Sequence, residues 1–312
     1  MKQRNSKARA ARPEAAKKGR RDAHKDAAGR VHLTVHRDPA SGHERVALRS
    51  PVFKEAWQND VATAAANTAY AVLRGEPSVD GAIELARNAM AATSRLAAGL
   101  LARAPGGAVA CRAGCDHCCY QAVGITPPEA LAIVDHLKRA LSDAALERVA
   151  RRVSDGHERT RDLPSSERFS PDHPCPFLES GRCSIYEVRP LSCRGMNSLD
   201  AGECATRLRD PEARAAFLAS GKGGRSFMEP IRAFQAISAG LQLGLSELFR
   251  LDMRPLELTA AVHLLLTGPE SLAAEWIRGQ RPFEPARGAD QGKDPGLSGP
   301  IDALGRASGR DP

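Results

Sequence analysis

A chain of 312 residues is long enough for one large domain or two ordinary ones, and 42% hydrophobic residues can fill a core. Only 4% are aromatic, so that core rests on Leu, Ala, Val and Ile, a composition that favours helix over sheet. The net charge of +8 does not mark a nucleic-acid-binding body: residues 1–30 hold eleven Lys and Arg against three acids, which is the whole excess. No run of 18 apolar residues occurs, which excludes a membrane-spanning helix.

The tail, residues 1–30, has almost no large apolar residue and is expected to be disordered, with weak non-specific nucleic-acid contact as its one evident use. It lacks the apolar stretch of a secretory signal and matches an Arg-rich presequence only loosely, so a cytoplasmic location is expected. In that compartment thiols stay reduced, and grouped cysteines mean metal or redox chemistry before disulfides.

Residues 31–48 contain the turn signal "DPASG" and predict a short hairpin. Helical patterns run from Pro51 to Arg74 and from Val79 to Arg103. The second carries apolar residues at Ile83, Leu85, Ala86, Met90, Leu96, Leu100 and Leu101, and "APGG" at 104–107 breaks it. Thr126 and Glu129 form a capping box with Pro127 at the first helical position, and Leu131, Val134, Leu137 and Leu141 continue the helix. A more polar helix over 142–160 should lie on the surface, followed by a loop, "LPSSERFSPDHPCPFL". Further helices are predicted near 211–220, 226–251, 255–267 and 269–278. From Gly279 on, Gly, Pro, Asp and Arg predict a disordered tail. The fold class is therefore mainly α: a helical domain over 31–278 around a loop-rich cysteine region at 105–207, with disordered termini at 1–30 and 279–312.

All eight cysteines fall in that region: Cys111, Cys115, Cys118 and Cys119, then Cys175, Cys183, Cys193 and Cys204. Buried free cysteines act as small hydrophobes and scatter over core positions, an account that covers one or two of the eight but not their grouping. Thiolates two or three residues apart on a tight loop grip one ion, and loop N–H groups can bond the sulfurs. Gly114 suits the positive φ of such a turn. Arg112, Arg182, Arg189 and Arg194 flank cysteines and could offset thiolate charge, with Arg189 and Arg194 the cofactor-side candidates. Ser184 and Glu187 form a second capping box, predicting a short helix after Cys183 that stops near Pro190. His117 and His173 stand within two residues of a cysteine, yet read first as plain polar residues.

The strings "CRAGCDHCC", "CPFL", "GRCSIYEVRPLSCRGMNSLD" and the last Cys closely resemble the YkgJ-like cysteine-cluster family of zinc- or iron-chelating domains, over about Cys111 to Cys204. That resemblance implies metal binding through these cysteines. Flagellin lysine N-methylases carry a similar cysteine pattern, which keeps a cluster-dependent protein-modifying enzyme as the alternative function and leaves room for a protein partner. Zinc and iron–sulfur clusters both take four thiolates. The Cys-x2-Cys knuckle of zinc ribbons occurs once, at Cys115 and Cys118, and the longer gaps among the last four cysteines lean toward iron. Cys111-x3-Cys115-x2-Cys118 also has the spacing of the radical S-adenosylmethionine cluster motif, but the strand–helix repeats of that fold do not follow it. "GKGGR" at 221–225 lacks the full phosphate-loop pattern and reads as a turn.

Overall fold

Alanine at helical spacing builds the centre of the molecule. The computed structural model describes residues 32–104, 109–220 and 224–289. In α1 (Ala56–Leu73), Ala62, Ala66, Ala69 and Leu73 are fully buried, and the helix packs on α9 (Met228–Leu243), where a Cβ at Gly240 would strike the Ala62 carbonyl and Ala65. Methyl-sized side chains let these helices approach closely and pack at interior density without aromatic residues. Against this pair lies α2 (Val79–Leu101), started by Ser78, whose hydroxyl accepts from the Gly81 N–H. Its Ile83, Leu85, Ala86 and Met90 are buried as the spacing predicts, whereas Leu96, Leu100 and Leu101 are only partly covered.

The predicted hairpin is present. Strand β1 (Leu33–Arg37) pairs antiparallel with β2 (Glu44–Leu48), and Leu33 and Val46 pack on Ala66 and Leu243. A second antiparallel pair joins β3 (Gly124–Ile125) to β6 (Leu256–Glu257) and sets two helix starts side by side. These are α3 (Pro127–Ala140) and α10 (Leu258–Thr267). The more polar α4 (Asp143–Thr160) packs on α10 through Val149, Val153, Gly156 and Thr160, with its charged face outward.

Four differences from the sequence expectation have physical causes. The loop after α4 contains a single helical turn, α5 (Ser165–Arg168), whose Arg168 is drawn inside by a 2.8 Å ion pair with buried Glu257. The helix expected over 226–251 is α9 followed by a π-turn at Gly244–Leu248, and it stops at Arg250, which has φ +59°. The chain stays folded beyond Gly279, because Phe283 and Ala286 are buried in the core. Ser184 does not cap a helix: its N–H and hydroxyl both bond the Phe177 carbonyl, which leaves a single 3-10 turn at Tyr186–Val188. The remaining helices are α6 (Leu191–Gly195), α7 (Ala201–Arg209), α8 (Pro211–Ser220) and α11 (Leu272–Ile277). Residues 1–31, 105–108, 221–223 and 290–312, with most of the "APGG" break and most of "GKGGR", lie outside the described residues. Among the described residues no helix is long and apolar enough to cross a membrane.

The capping-box carboxylate does more than start α3. Glu129 is buried, and its Oε2 accepts from the Thr126 N–H at 2.9 Å and the Thr126 hydroxyl at 2.8 Å. Its Oε1 accepts at 2.9 Å from the N–H of Leu191, the first residue of α6. One side chain thus ties the start of α3 to the helix that carries Cys193. Burial raises the Glu129 carboxyl above its usual range, and the three donors pull the other way. Glu129→Ala is expected to lower stability by about 3 kcal/mol, and Glu129→Gln by about 1 kcal/mol. Because the folded-state value is raised, the contribution of Glu129 is complete below its unfolded value and is lost as pH rises through its folded value. Wild type should therefore lose ground to Glu129→Gln as pH rises above the ordinary carboxylate range in urea unfolding, and a gap that widens with pH would contradict this.

Candidate metal centre

Short turns aim the first cysteines. Gly114 takes φ +84°, as its place in the loop predicts, and Cys115 closes a turn by donating its N–H to the Arg112 carbonyl at 3.0 Å. Cys118 and Cys119 sit on a 3-10 turn, His117–Tyr120, and the Cys119 N–H donates to the Asp116 carbonyl at 2.7 Å. In the second stretch, β4 (Leu178–Glu179) and β5 (Arg182–Cys183) form a tight hairpin. Ser180 and Gly181 both have positive φ, the conformation that two-residue hairpin turns require. The hairpin folds Cys183 back toward Cys175, and the Cys175 N–H donates to the Cys119 carbonyl at 2.7 Å. Cys193 stands on α6 and Cys204 on α7.

The sulfurs gather in a way that crosses the two sequence groups. Cys119 lies in the electrostatic field of Cys118, Cys175 and Cys193, and Cys193 in that of Cys175, Cys118 and Cys183. Cys111 instead feels Cys115, Cys118 and Cys204. All eight are free thiols, and Cys111 and Cys118 are the exposed ones, although the Cys118 sulfur itself is crowded by protein atoms. Among the described residues no three Cys, His, Asp or Glu side chains stand in ready ligation geometry. Completing a shell therefore requires thiols to turn between staggered wells, a rotation that moves a sulfur by about 3 Å.

Backbone and cations favour thiolates here. The Ser198 N–H bonds the Cys111 sulfur at 3.3 Å, and the backbone N–H groups of Phe177 and Ile185 lower the thiols of Cys175 and Cys183. Arg189 stacks over the Tyr186 ring at 4.2 Å, and its charge lowers the thiols of Cys118, Cys183 and Cys193. Arg194 is held by the Arg189 carbonyl at 2.8 Å, the Ser94 hydroxyl at 2.5 Å and the Glu187 carbonyl, and it also lowers Cys183. Arg112 and Arg182, the other two sequence candidates, are exposed. Two contributors escaped the sequence reading. Arg207 donates to the Cys204 sulfur at 3.2 Å while stacking on Phe217, and Ser198 acts through its backbone. The spacing of Arg207, three residues beyond Cys204 on one helix, was the available signal. His117 faces Asp116 at 3.7 Å, and His173 keeps a buried Nδ1 with no hydrogen-bond partner.

Burial opposes these effects and raises the thiols of Cys111, Cys183 and Cys193, while Cys175 is pushed up to about 12. The adjacent pair splits. The S–H of Cys119 donates to the Cys118 sulfur, which holds Cys118 down to about 7 and drives Cys119 up. A crowded set of sulfurs with N–H donors and arginines behind it suits a thiophilic cation and leaves little for a hard, oxygen-preferring one.

Fold and site define a class: a thiol-rich, metal-chelating segment set in a helical frame. Residues 110–210 match the CxxCxxCC family, described as a "putative zinc- or iron-chelating domain". That match takes in all eight cysteines and about a third of the chain. No curated protein and no solved structure gives a significant match, and the likeness to flagellin lysine N-methylases finds no support.

The split of the adjacent pair has a readout. In metal-free protein at neutral pH, iodoacetamide should modify Cys118 more than about tenfold faster than Cys175, as followed by peptide mass spectrometry. Equal rates at the two sites would contradict the hydrogen-bonded pair.

Proposed function

We propose that this chain chelates a thiophilic metal through its cysteine cluster, with an iron–sulfur cluster the favoured occupant and zinc the second. The observation that carries the reading is the convergence of Cys118, Cys119, Cys175, Cys183 and Cys193 from three separate turns and a helix, backed by Arg189 and Arg194. The gaps between Cys175, Cys183, Cys193 and Cys204 wrap a cluster more readily than they form zinc-ribbon knuckles. A bound cluster would supply one-electron chemistry, and a bound zinc ion a structural tie. The chain's own contribution is to hold the sulfurs, give them N–H donors and offset their charge with guanidinium groups. The same reading assigns the basic segment 1–30 a weak, separate contact with nucleic acid.

Anaerobic purification followed by metal analysis, sulfide assay and an absorption spectrum tests this. Iron with inorganic sulfide and a brown colour is expected, and Cys193→Ala should lose most of it. Colourless protein with stoichiometric zinc would move the assignment to the second occupant, and metal-free protein would overturn chelation. Deleting residues 1–30 should weaken retention on heparin and leave metal content unchanged.

A further inference from the structure

Two histidines meet where α4 packs on α10. The ring centroids of His157 on α4 and His263 on α10 lie 4.5 Å apart with the planes inclined by 22°, a stacked pair. The Ser154 hydroxyl, one turn back on α4, lies 3.1 Å from Nδ1 of His263. The carboxylate whose charge reaches His157 is Glu257, at the start of α10. Its oxygens are already engaged: Arg168 of α5 holds Oε1 at 2.8 Å, and the Ala260 N–H donates to Oε2 at 2.8 Å. Arg168 and Arg161, at the end of α4, set positive charge against the same ring. Gly156, the residue before His157, joins this contact to the second cysteine stretch. A Cβ there would lie 3.5 Å from the Thr259 methyl and 3.7 Å from the Pro176 side chain. Pro176 follows Cys175, whose thiol is enclosed. The same turn of α4 therefore stacks on α10 and leans on the neighbour of Cys175.

We infer that the stacked His157–His263 pair is an acid-operated latch: with both rings neutral it holds the last turn of α4 on α10, and with both protonated it releases that turn and opens the segment that carries Cys175. Neutral aromatic rings stack favourably, whereas two imidazolium rings at this separation repel. A first proton is accommodated, because Glu257 attracts it. A second meets a carboxylate already shared with Arg168 and the like charges of two arginines. Val149 and Val153 stay buried upstream, so the release concerns the end of α4 and not the whole helix. Burial, with the charges of His263, Arg161 and Arg168, holds His157 below its usual value, and Glu257 pulls the other way. The contribution of the contact is therefore complete above the unfolded histidine value, about 6.5, and is lost as pH falls through the folded one. The latch stands on the α4–α10 contact and does not depend on what the cysteines bind.

Hydrogen exchange of the full-length protein, read by peptide mass spectrometry from about pH 7.5 to about pH 5, tests this, each rate being divided by that of an unstructured peptide at the same pH. Protection of peptides covering 154–162 and 173–178 should fall by more than about tenfold across that range, while peptides from α1 and α9 keep theirs. The double variant His157→Phe, His263→Phe keeps a ring on each helix and removes the charge, so its protection at both places should change by less than about twofold. Acid also protonates thiols and displaces metal from them, but it does so in wild type and variant alike, so the difference between the two isolates the histidines. Should the variant fail to fold, the histidine ring signals of wild type in an NMR titration decide: the latch requires the two rings to titrate in separate steps, at least about tenfold apart in proton concentration. Equal loss of protection in wild type and variant, loss at 154–162 with none at 173–178, or rings that titrate in a single step overturns the latch.

Discussion

The arrangement of the cysteine region depends on one buried carboxylate. Glu129 receives one donor from neighbouring Thr126 and another from Leu191, 62 positions away, and so fixes where the second cysteine stretch sits relative to the first. An ionised side chain in the interior is costly unless its oxygens are hydrogen-bonded. Here three donors and the nearby charge of Arg194 offset part of that cost, and burial still holds the carboxyl above its usual range. The same group closes the start of α3, so the local rule for beginning a helix and the long-range rule for placing Cys193 are satisfied by one side chain. A hydrophobic contact could have packed α6 in place, but without fixing its register so closely, because apolar packing has no direction.

Around this anchor two tendencies oppose each other. Burial raises the thiols at 111, 175, 183 and 193, which favours protons on sulfur. Backbone N–H groups and arginines favour thiolates at several of the same positions. Burial prevails at those four positions, so without a metal they hold their protons, and the N–H groups and arginines offset only part of it. A metal replaces protons on its ligands, so uptake here is coupled to proton release and strengthens as pH rises. The split Cys118–Cys119 pair shows the balance within two adjacent residues.

Local signals in the sequence translated well. The Thr126–Glu129 box, the apolar spacing of α2, the hairpin signal and the turn at Gly114 each concern residues that touch their near neighbours, and each is present. Signals that had to compete with distant partners did not. Ser184 and Glu187 have the letters of a capping box, but the β4–β5 hairpin offers Ser184 the Phe177 carbonyl and takes it. Phe283 and Ala286 lie in a stretch whose composition reads as a tail, yet two buried anchors hold it to the core. Grouping alone marked the eight cysteines as candidates. It did not show that Cys204, on α7, returns to the neighbourhood of Cys111, because that return is a property of the topology. Arg182 and Arg194 look equivalent beside their cysteines; only the turn geometry separates an exposed side chain from one held by three acceptors.

The segment that matches a known family does not position itself. Arg194 is held in part by Ser94 of α2, and Arg168 is drawn in by Glu257 at the start of α10. Gly195, at the end of the Cys193 helix, lies so close to α9 that a Cβ there would strike Phe234 and the Pro230 carbonyl. All four partners fall outside residues 110–210. The sulfurs are therefore supplied by the shared segment and aimed by the particular helices around it. A site built this way can keep its ligands while its enclosure, charge and access change with the frame, and those properties set how tightly a metal is held and what it can react with. In this chain the frame is alanine-rich and closely packed, with the thiols of Cys175 and Cys193 enclosed and Cys111 toward solvent.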